Sequence, residues 1–203
     1  EIYPFLRKVV QENKLTTIIN CIALTSITRC EKHQTQARFI NSELPGIFAE
    51  FAQKMNLNFV HFSTDAVFDG QLSPYRENDE PCPISNYGYT KLKGEQNVAQ
   101  ANANSLILRT NFFGYSFHRP SLFNFFFDKL ELDQECFGYK DVKFSPLYVK
   151  DVCAATFTLL KESQRGIFHV AGDEVLSKFE FGRRIAKIMR INEALVVPSE
   201  RPE

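Results

Sequence analysis

The sequence predicts an α/β fold built on a parallel sheet, and three observations predict it. Short runs of mostly apolar, partly β-branched residues recur at 16–23, 58–63, 105–110 and 166–171, as in strands buried on both faces. Helix-periodic stretches separate them, so consecutive strands are joined by right-handed crossovers and run parallel. The 203 residues are 44% apolar, enough for one compact domain or a domain with a small appendage.

Taken in order, residues 3–13 form an amphipathic helix, with Phe5, Leu6, Val9 and Val10 on one side and Pro4 in the first turn. Residues 16–23 read as a central parallel strand. Residues 31–55 are helix-periodic but contain Pro45, which demands a kink or two abutting helices. The strand at 58–63 is followed by a loop at 70–83 dense in Pro, Asp, Glu and Asn. A helix at 86–103 leads into the strand at 105–110. The character then changes: 111–119 is aromatic and loop-like, 121–132 is a Phe-rich helix, and 140–146 is a polar, partly extended connection. Helix returns at 149–163, strand at 166–171 and helix at 177–191, the last opened by a capping box of Ser177 and Glu180.

Composition excludes several classes of function. Basic and acidic residues balance at 24 each, so no electrostatic footprint points to nucleic acid. No apolar run approaches the ~20 residues of a membrane span. The five cysteines, Cys21, Cys30, Cys82, Cys136 and Cys153, form no Cys-x-x-Cys pair. They read as reduced thiols of a cytoplasmic protein without a metal site. His33 and His61 have no second ligand at metal spacing and read as structural.

The chemistry concentrates between Phe59 and Glu95. A buried strand ends in Ser63-Thr64-Asp65, and a helix opens with Tyr87 and Lys91 four residues apart, hence on one face. A phenol has an unperturbed pKa of roughly 10, and a neighbouring ammonium is expected to lower it. Thr64, at the carboxyl end of its strand, offers a hydroxyl to the same substrate oxygen, where open α/β sheets bind ligands.

These residues carry a resemblance. Ser63-Thr64-Asp65 followed by Tyr87-x-x-x-Lys91 is similar to the active site of the extended short-chain dehydrogenase/reductases. Ser-Thr-Asp-Ala-Val-Phe-Asp-Gly from Ser63, Tyr75-x-Glu77-x-Asp79, and Tyr-Gly-x-Thr-Lys-Leu-x-Gly-Glu from Tyr87 resemble the dTDP-4-dehydrorhamnose reductase branch. Ser145-Pro146-Leu147-Tyr148-Val149-x-Asp151 resembles a further segment of that branch.

The resemblance implies a Rossmann-like parallel sheet with a small mixed α/β C-terminal lobe. Residues 1–110 would be a partial NAD(P)-binding domain, and 111–203 a substrate-binding lobe interleaved with returning elements of the sheet domain. NADPH or NADH would be the cofactor and a nucleotide sugar the substrate, and the family leaves room for a homodimer. Tyr87 would donate a proton to the keto-sugar oxygen, Thr64 would polarise it, and Lys91 would tune Tyr87 and hold the nicotinamide ribose.

Ala23, Leu24, Thr25, Ser63 and Asn111 fall where the family contacts cofactor, although a small residue such as Ala23 also serves packing alone. Asp65 either touches substrate or fixes its loop. Phe112, together with Phe113, Phe117, Phe123, Phe125, Phe126 and Phe127, either lines a sugar-nucleotide pocket or fills core. Arg119 and Lys143 are candidates for the substrate diphosphate. Arg109 lies near the nicotinamide edge or is structural, and Asn41 reads as structural.

The glycine-rich turn that cradles a dinucleotide pyrophosphate does not occur in these residues. The chain is therefore expected to be an incomplete copy, the sheet's N-terminal side being absent, and by itself to bind cofactor poorly. The function expected of the family is NAD(P)H-dependent reduction of the 4-keto group of a dTDP-4-keto-6-deoxyhexose. An epimerase of the same superfamily is one alternative. A non-catalytic relative resembling the regulatory β subunit of methionine adenosyltransferase is the other.

Overall fold

The structure, a computed structural model, describes residues 2–71, 74–118 and 121–201. In chain order it has α1 (Ile2–Asn13), β1 (Thr17–Asn20), α2 (Ile27–Lys32), α3 (Gln34–Arg38), a π-helical turn (Phe39–Glu43), α4 (Leu44–Lys54) and β2 (Asn58–Thr64). A short 3₁₀ turn (Asp65–Val67), α5 (Asn86–Ala101), β3 (Leu106–Thr110), β4 (Phe112–Phe113), α6 (Leu122–Glu131), β5 (Cys136–Tyr139), β6 (Lys143–Phe144) and β7 (Leu147–Tyr148) follow. The chain continues through α7 (Val149–Lys161), β8 (Gly166–Val170), β9 (Leu176–Ser177), α8 (Lys178–Met189) and β10 (Val196–Ser199).

It divides into two compact units, Glu1–Thr110 with Thr158–His169, and Asn111–Phe157 with Val170–Glu203. The first holds a four-stranded sheet of order β1-β2-β3-β8, in which β1 pairs parallel with β2 and β2 with β3. This is the α/β, parallel-sheet architecture the sequence predicts. β2 and β3 are its central strands, and every residue of β3 is buried. β1, expected to be central, stands at one edge among the described strands and is only four residues long, with Ile19 39% exposed. Phe48, Ala49, Ala52, Phe59, Val98 and Ile107 form the core between helices and sheet.

The long periodic stretch around Pro45 resolves into three α-helical pieces and a π turn. Pro45 occupies the first turn of α4, where its missing N–H costs nothing. A proline cannot donate to the carbonyl four residues before it, here Asn41. That carbonyl is instead approached by Gly94 of α5, where an added Cβ would sit 2.2 Å from the Asn41 oxygen.

In the second unit, Phe126, Leu130, Phe144, Phe181, Ile185 and Val196 form a separate core. The expected capping box of Ser177 and Glu180 opens α8. A parallel β5–β10 pair, in register from Cys136↔Val196 to Ser199↔Tyr139, is an element the sequence reading did not anticipate. Its strands are four residues long and far apart in the chain, so neither carries a periodic signal long enough to read. No helix among the described residues is long and apolar enough to cross a membrane.

Candidate active site

The carboxyl end of β2 and the first turns of α5 build the site. Ser85 caps α5 by accepting from the Gly88 N–H at 3.1 Å, and Thr64 caps the 3₁₀ turn by accepting from Ala66 N at 3.2 Å. Gly88 brings the two together: a Cβ there would meet the Ala66 carbonyl oxygen at 2.1 Å. Only glycine lets the helix carrying Tyr87 approach the turn carrying Thr64 so closely.

Tyr87 is half-buried against Leu24, Cys30, Ala37 and Ile40. Its hydroxyl shares a hydrogen bond with Thr64, whose own hydroxyl lies 3.1 Å from a carboxylate oxygen of half-buried Asp65. Burial pushes the phenol up to about 12; the Thr64 hydrogen bond pulls the other way, and Asp65 and Cys30 add to the rise. The expectation that Lys91 would depress this pKa is thus reversed. The physical reason is that desolvation of the phenolate outweighs what stabilises it, and the Lys91 nitrogen is engaged elsewhere.

Lys91 is 2% exposed. It donates to the Phe62 carbonyl at 2.5 Å, and its Nζ lies 3.4 Å from His61 Nε2. Burial lowers it to about 8, while Glu95 and Cys21 pull it upward. It is therefore a lysine that titrates close to neutral pH.

His61 and Ser63, two apart on one face of β2, both meet α5. Ser63 donates its hydroxyl to Glu95, and Glu95 forms a bidentate pair with Arg109, with contacts of 2.7 and 3.0 Å. The side chain of Ser63 thus serves a buried ion pair, and Arg109 takes the structural role of the two open to it.

The remaining expected residues are distributed as follows. Asn41 pins the segment after β1: its Oδ1 accepts from Leu24 N at 2.8 Å, and its Nδ2 donates to the Leu24 carbonyl at 3.0 Å and to Thr90 Oγ1 at 3.1 Å. That fixes the backbone of Ala23, Leu24 and Thr25, of which Leu24 is buried, Ala23 half-buried and Thr25 exposed.

Asn111 and Phe112 belong to the second unit. The Asn111 carbonyl accepts from Leu147 N at 3.2 Å, and Phe112 sits in β4, 53% exposed. Arg119 lies outside the described residues. The phenylalanine run splits: Phe126 is fully buried, while Phe123 and Phe127 stack and Tyr115 meets Phe117 and Phe127 edge-on.

Two features beside the site escaped the sequence reading, the His61–Asn20 pair and Thr110. His61 touches Lys91, and Asn20 at the end of β1 touches His61 Nδ1 at 3.0 Å. The strand alternation that puts His61 on the same face as Ser63 was the available signal. Thr110 is the other: its Oγ1 is buried at the end of β3, opposite Thr64 in the β2–β3 register, with no hydrogen-bond partner among the described residues.

The chain is similar to known proteins over nearly its whole length. Residues 4–203 match the family described as RmlD substrate binding domain. A probable low-salt glycan biosynthesis reductase, Agl14 of Haloferax volcanii, is 32% identical over 95% of this chain and 66% of its own length. Methionine adenosyltransferase 2 subunit beta of Bos taurus is 31% identical over 91% of this chain and 60% of its own length. The chain thus spans about two thirds or less of these curated relatives. The crystal structure of dTDP-4-dehydrorhamnose reductase from Bacillus anthracis, a complex with NADP, superposes with a TM-score of 0.89 at 29% identity, over 98% of this chain and 71% of that one.

Proposed function

This chain belongs to the RmlD substrate binding domain family, and from that premise we propose that it carries the proton-transfer centre of an NAD(P)H-dependent sugar-nucleotide reductase. The substrate would be a nucleotide-linked 4-keto-6-deoxy sugar of the dTDP-4-dehydrorhamnose kind. One observation carries the reading: Gly88 lets the helix start that bears Tyr87 close on the strand-end turn capped by Thr64, one helical turn from the buried Lys91.

Protonation is what reduction requires. With a pKa of about 12, Tyr87 is a neutral phenol at physiological pH and a proton donor from the outset. A carbonyl oxygen gains negative charge as its carbon is reduced, and an alkoxide is a stronger base than a phenolate, so the proton passes from Tyr87 Oη to that oxygen. The Thr64 hydroxyl holds the same oxygen against Tyr87. Lys91, one helical turn away, is the group whose protonated form would stabilise the phenolate that remains. Bound nicotinamide supplies the hydride.

The residues present fit the nicotinamide end of such a cofactor. The orphaned Thr110 hydroxyl and the buried Lys91 amine supply polar groups at the carboxyl edge of the sheet, where α/β folds bind ligands. The rigid Leu24 segment gives that end a wall. In the second unit, the aromatic group of exposed Tyr115 and Phe117 with half-buried Phe127 is suited to stacking on a base or sugar ring. These features support assigning the first unit to the cofactor and the second to the substrate.

The test is oxidation of NADPH or NADH by the purified protein with dTDP-4-dehydrorhamnose, followed by nicotinamide absorbance. Tyr87→Phe should lower kcat by about 10²–10⁴-fold with KM little changed; an unchanged rate would remove Tyr87 from the mechanism. Epimerisation would leave the cofactor's redox state unchanged. The similarity to a methionine adenosyltransferase subunit favours a second reading, a regulatory partner. Absence of turnover together with co-purification of a methionine adenosyltransferase would select it.

A further inference from the structure

Three buried polar side chains are linked in series, Asn20 at the end of β1 to His61 in β2 and His61 to Lys91 in α5, exposed by 4%, 0% and 2%. We propose that Asn20, acting through His61, is a positioning residue that sets the protonation of Lys91. Asn20 fixes His61 as the Nε2–H tautomer, and that proton faces the lysine nitrogen and favours its amine form.

The argument follows from which groups are obliged to donate. The Ile22 N–H lies 3.1 Å from Asn20 Oδ1, and a backbone N–H only donates, so the amide oxygen is on that side. The Asn20 NH₂ therefore faces His61 Nδ1 at 3.0 Å, and an amide NH₂ also only donates. Nδ1 must be the lone-pair nitrogen. A neutral imidazole has one proton, which is then on Nε2, 3.4 Å from Lys91 Nζ.

A second ring proton is opposed by the Asn20 NH₂, by the lysine and by burial, which holds His61 well below the usual histidine range. Opposite this ring, an ammonium sets donor against donor. An amine satisfies every group: it accepts from His61 Nε2–H and still donates to the Phe62 carbonyl.

The other groups around Lys91 act in the opposite sense or are neutral. Glu95 on α5 and Cys21 after β1 pull its pKa up, although Glu95 is largely committed to Arg109 of β3. Tyr87, on α5, is an uncharged phenol. Within the proposed reductase, on which only this consequence rests, Lys91 changes protonation near the working pH instead of staying permanently charged.

Long-range ¹H–¹⁵N correlation spectra of labelled protein distinguish imidazole tautomers directly. The expected result is His61 protonated on Nε2 through the neutral range; protonation on Nδ1 would overturn the proposal. Asn20→Asp replaces the amide donor by an acceptor, which draws the ring proton to Nδ1 and lets Nε2 accept from an ammonium. The Lys91 titration, read from its ¹³Cε shift, should move up by about 1 unit or more, together with the tautomer switch and the basic limb of any pH–rate profile.

A titration that moved with the tautomer unchanged would reduce Asn20→Asp to a simple charge effect and count against the proposal. If that variant does not fold, the wild-type tautomer decides alone. Failure of the reductase reading would show as absent turnover with both spectroscopic results intact.

Discussion

Two buried cations lie along α5, Lys91 on the helix itself and Arg109 of β3 paired with Glu95 one turn further on, and they are treated in opposite ways. Arg109 reaches Glu95 from β3 in a bidentate pair, with side chains 4% and 3% exposed, and is further enclosed by the Phe68 ring and His169 Nε2. Among the described residues Lys91 has no carboxylate in hydrogen-bond contact; its partners are a backbone carbonyl and an imidazole. A guanidinium stays charged in any protein, so its burial demands a counter-ion. An ammonium can instead give up its proton, and burial lowers the Lys91 pKa to about 8. The comparison teaches that the paired cation holds the fold and the cation without a carboxylate is available for chemistry.

The largest effect is expected from breaking the paired side. Glu95→Ala leaves Arg109 buried and uncompensated, at a cost of about 3–5 kcal/mol, measurable by urea denaturation. A cost below about 1 kcal/mol would mean the pair behaves like a surface one and the contrast with Lys91 is empty.

The lysine should reveal itself through pH. Its folded pKa of about 8 lies below the unfolded value of about 10.4, so in that window the unfolded chain binds more protons. Stability should therefore rise from about pH 8 to about pH 10, by on the order of 3 kcal/mol. Below pH 8 the burial penalty is present in full. Tyr87 acts in the reverse direction: its folded pKa of about 12 exceeds the unfolded value, so its contribution is lost as pH climbs above about 10. The difference in pH dependence between wild type and Lys91→Met isolates the lysine, and no difference between them would sink the assignment.

A smaller effect sharpens the geometry that serves Tyr87. Gly88→Ala pushes a methyl into the Ala66 carbonyl and should cost about 1–3 kcal/mol. It should lower kcat more than it raises KM, because it parts Tyr87 from Thr64. A rate unchanged by that substitution would show that the Thr64–Tyr87 approach does not matter to turnover.

Much of the fold was legible because its signals are local. Strand runs at β2 and β3, the amphipathic α1 and the Ser177–Glu180 capping box each announce themselves within a few residues. The same holds for Tyr87, Lys91 and Thr64, whose types and spacing carry the family resemblance that implies proton transfer. The β5–β10 pair, the edge position of β1 and the choice of Ser63 for Glu95 were not legible, because each depends on a partner distant in sequence.

What the sequence determined by itself was the architecture and which residues to propose for proton transfer, since periodicity and motif are properties of neighbours along the chain. What only the tertiary structure decided was the electrostatic state of that group. Burial raised the tyrosine instead of lowering it, and an asparagine and a histidine from two strands gathered at the lysine. Desolvation and hydrogen-bond direction are set by what surrounds a side chain in space, and no spacing in the sequence records them.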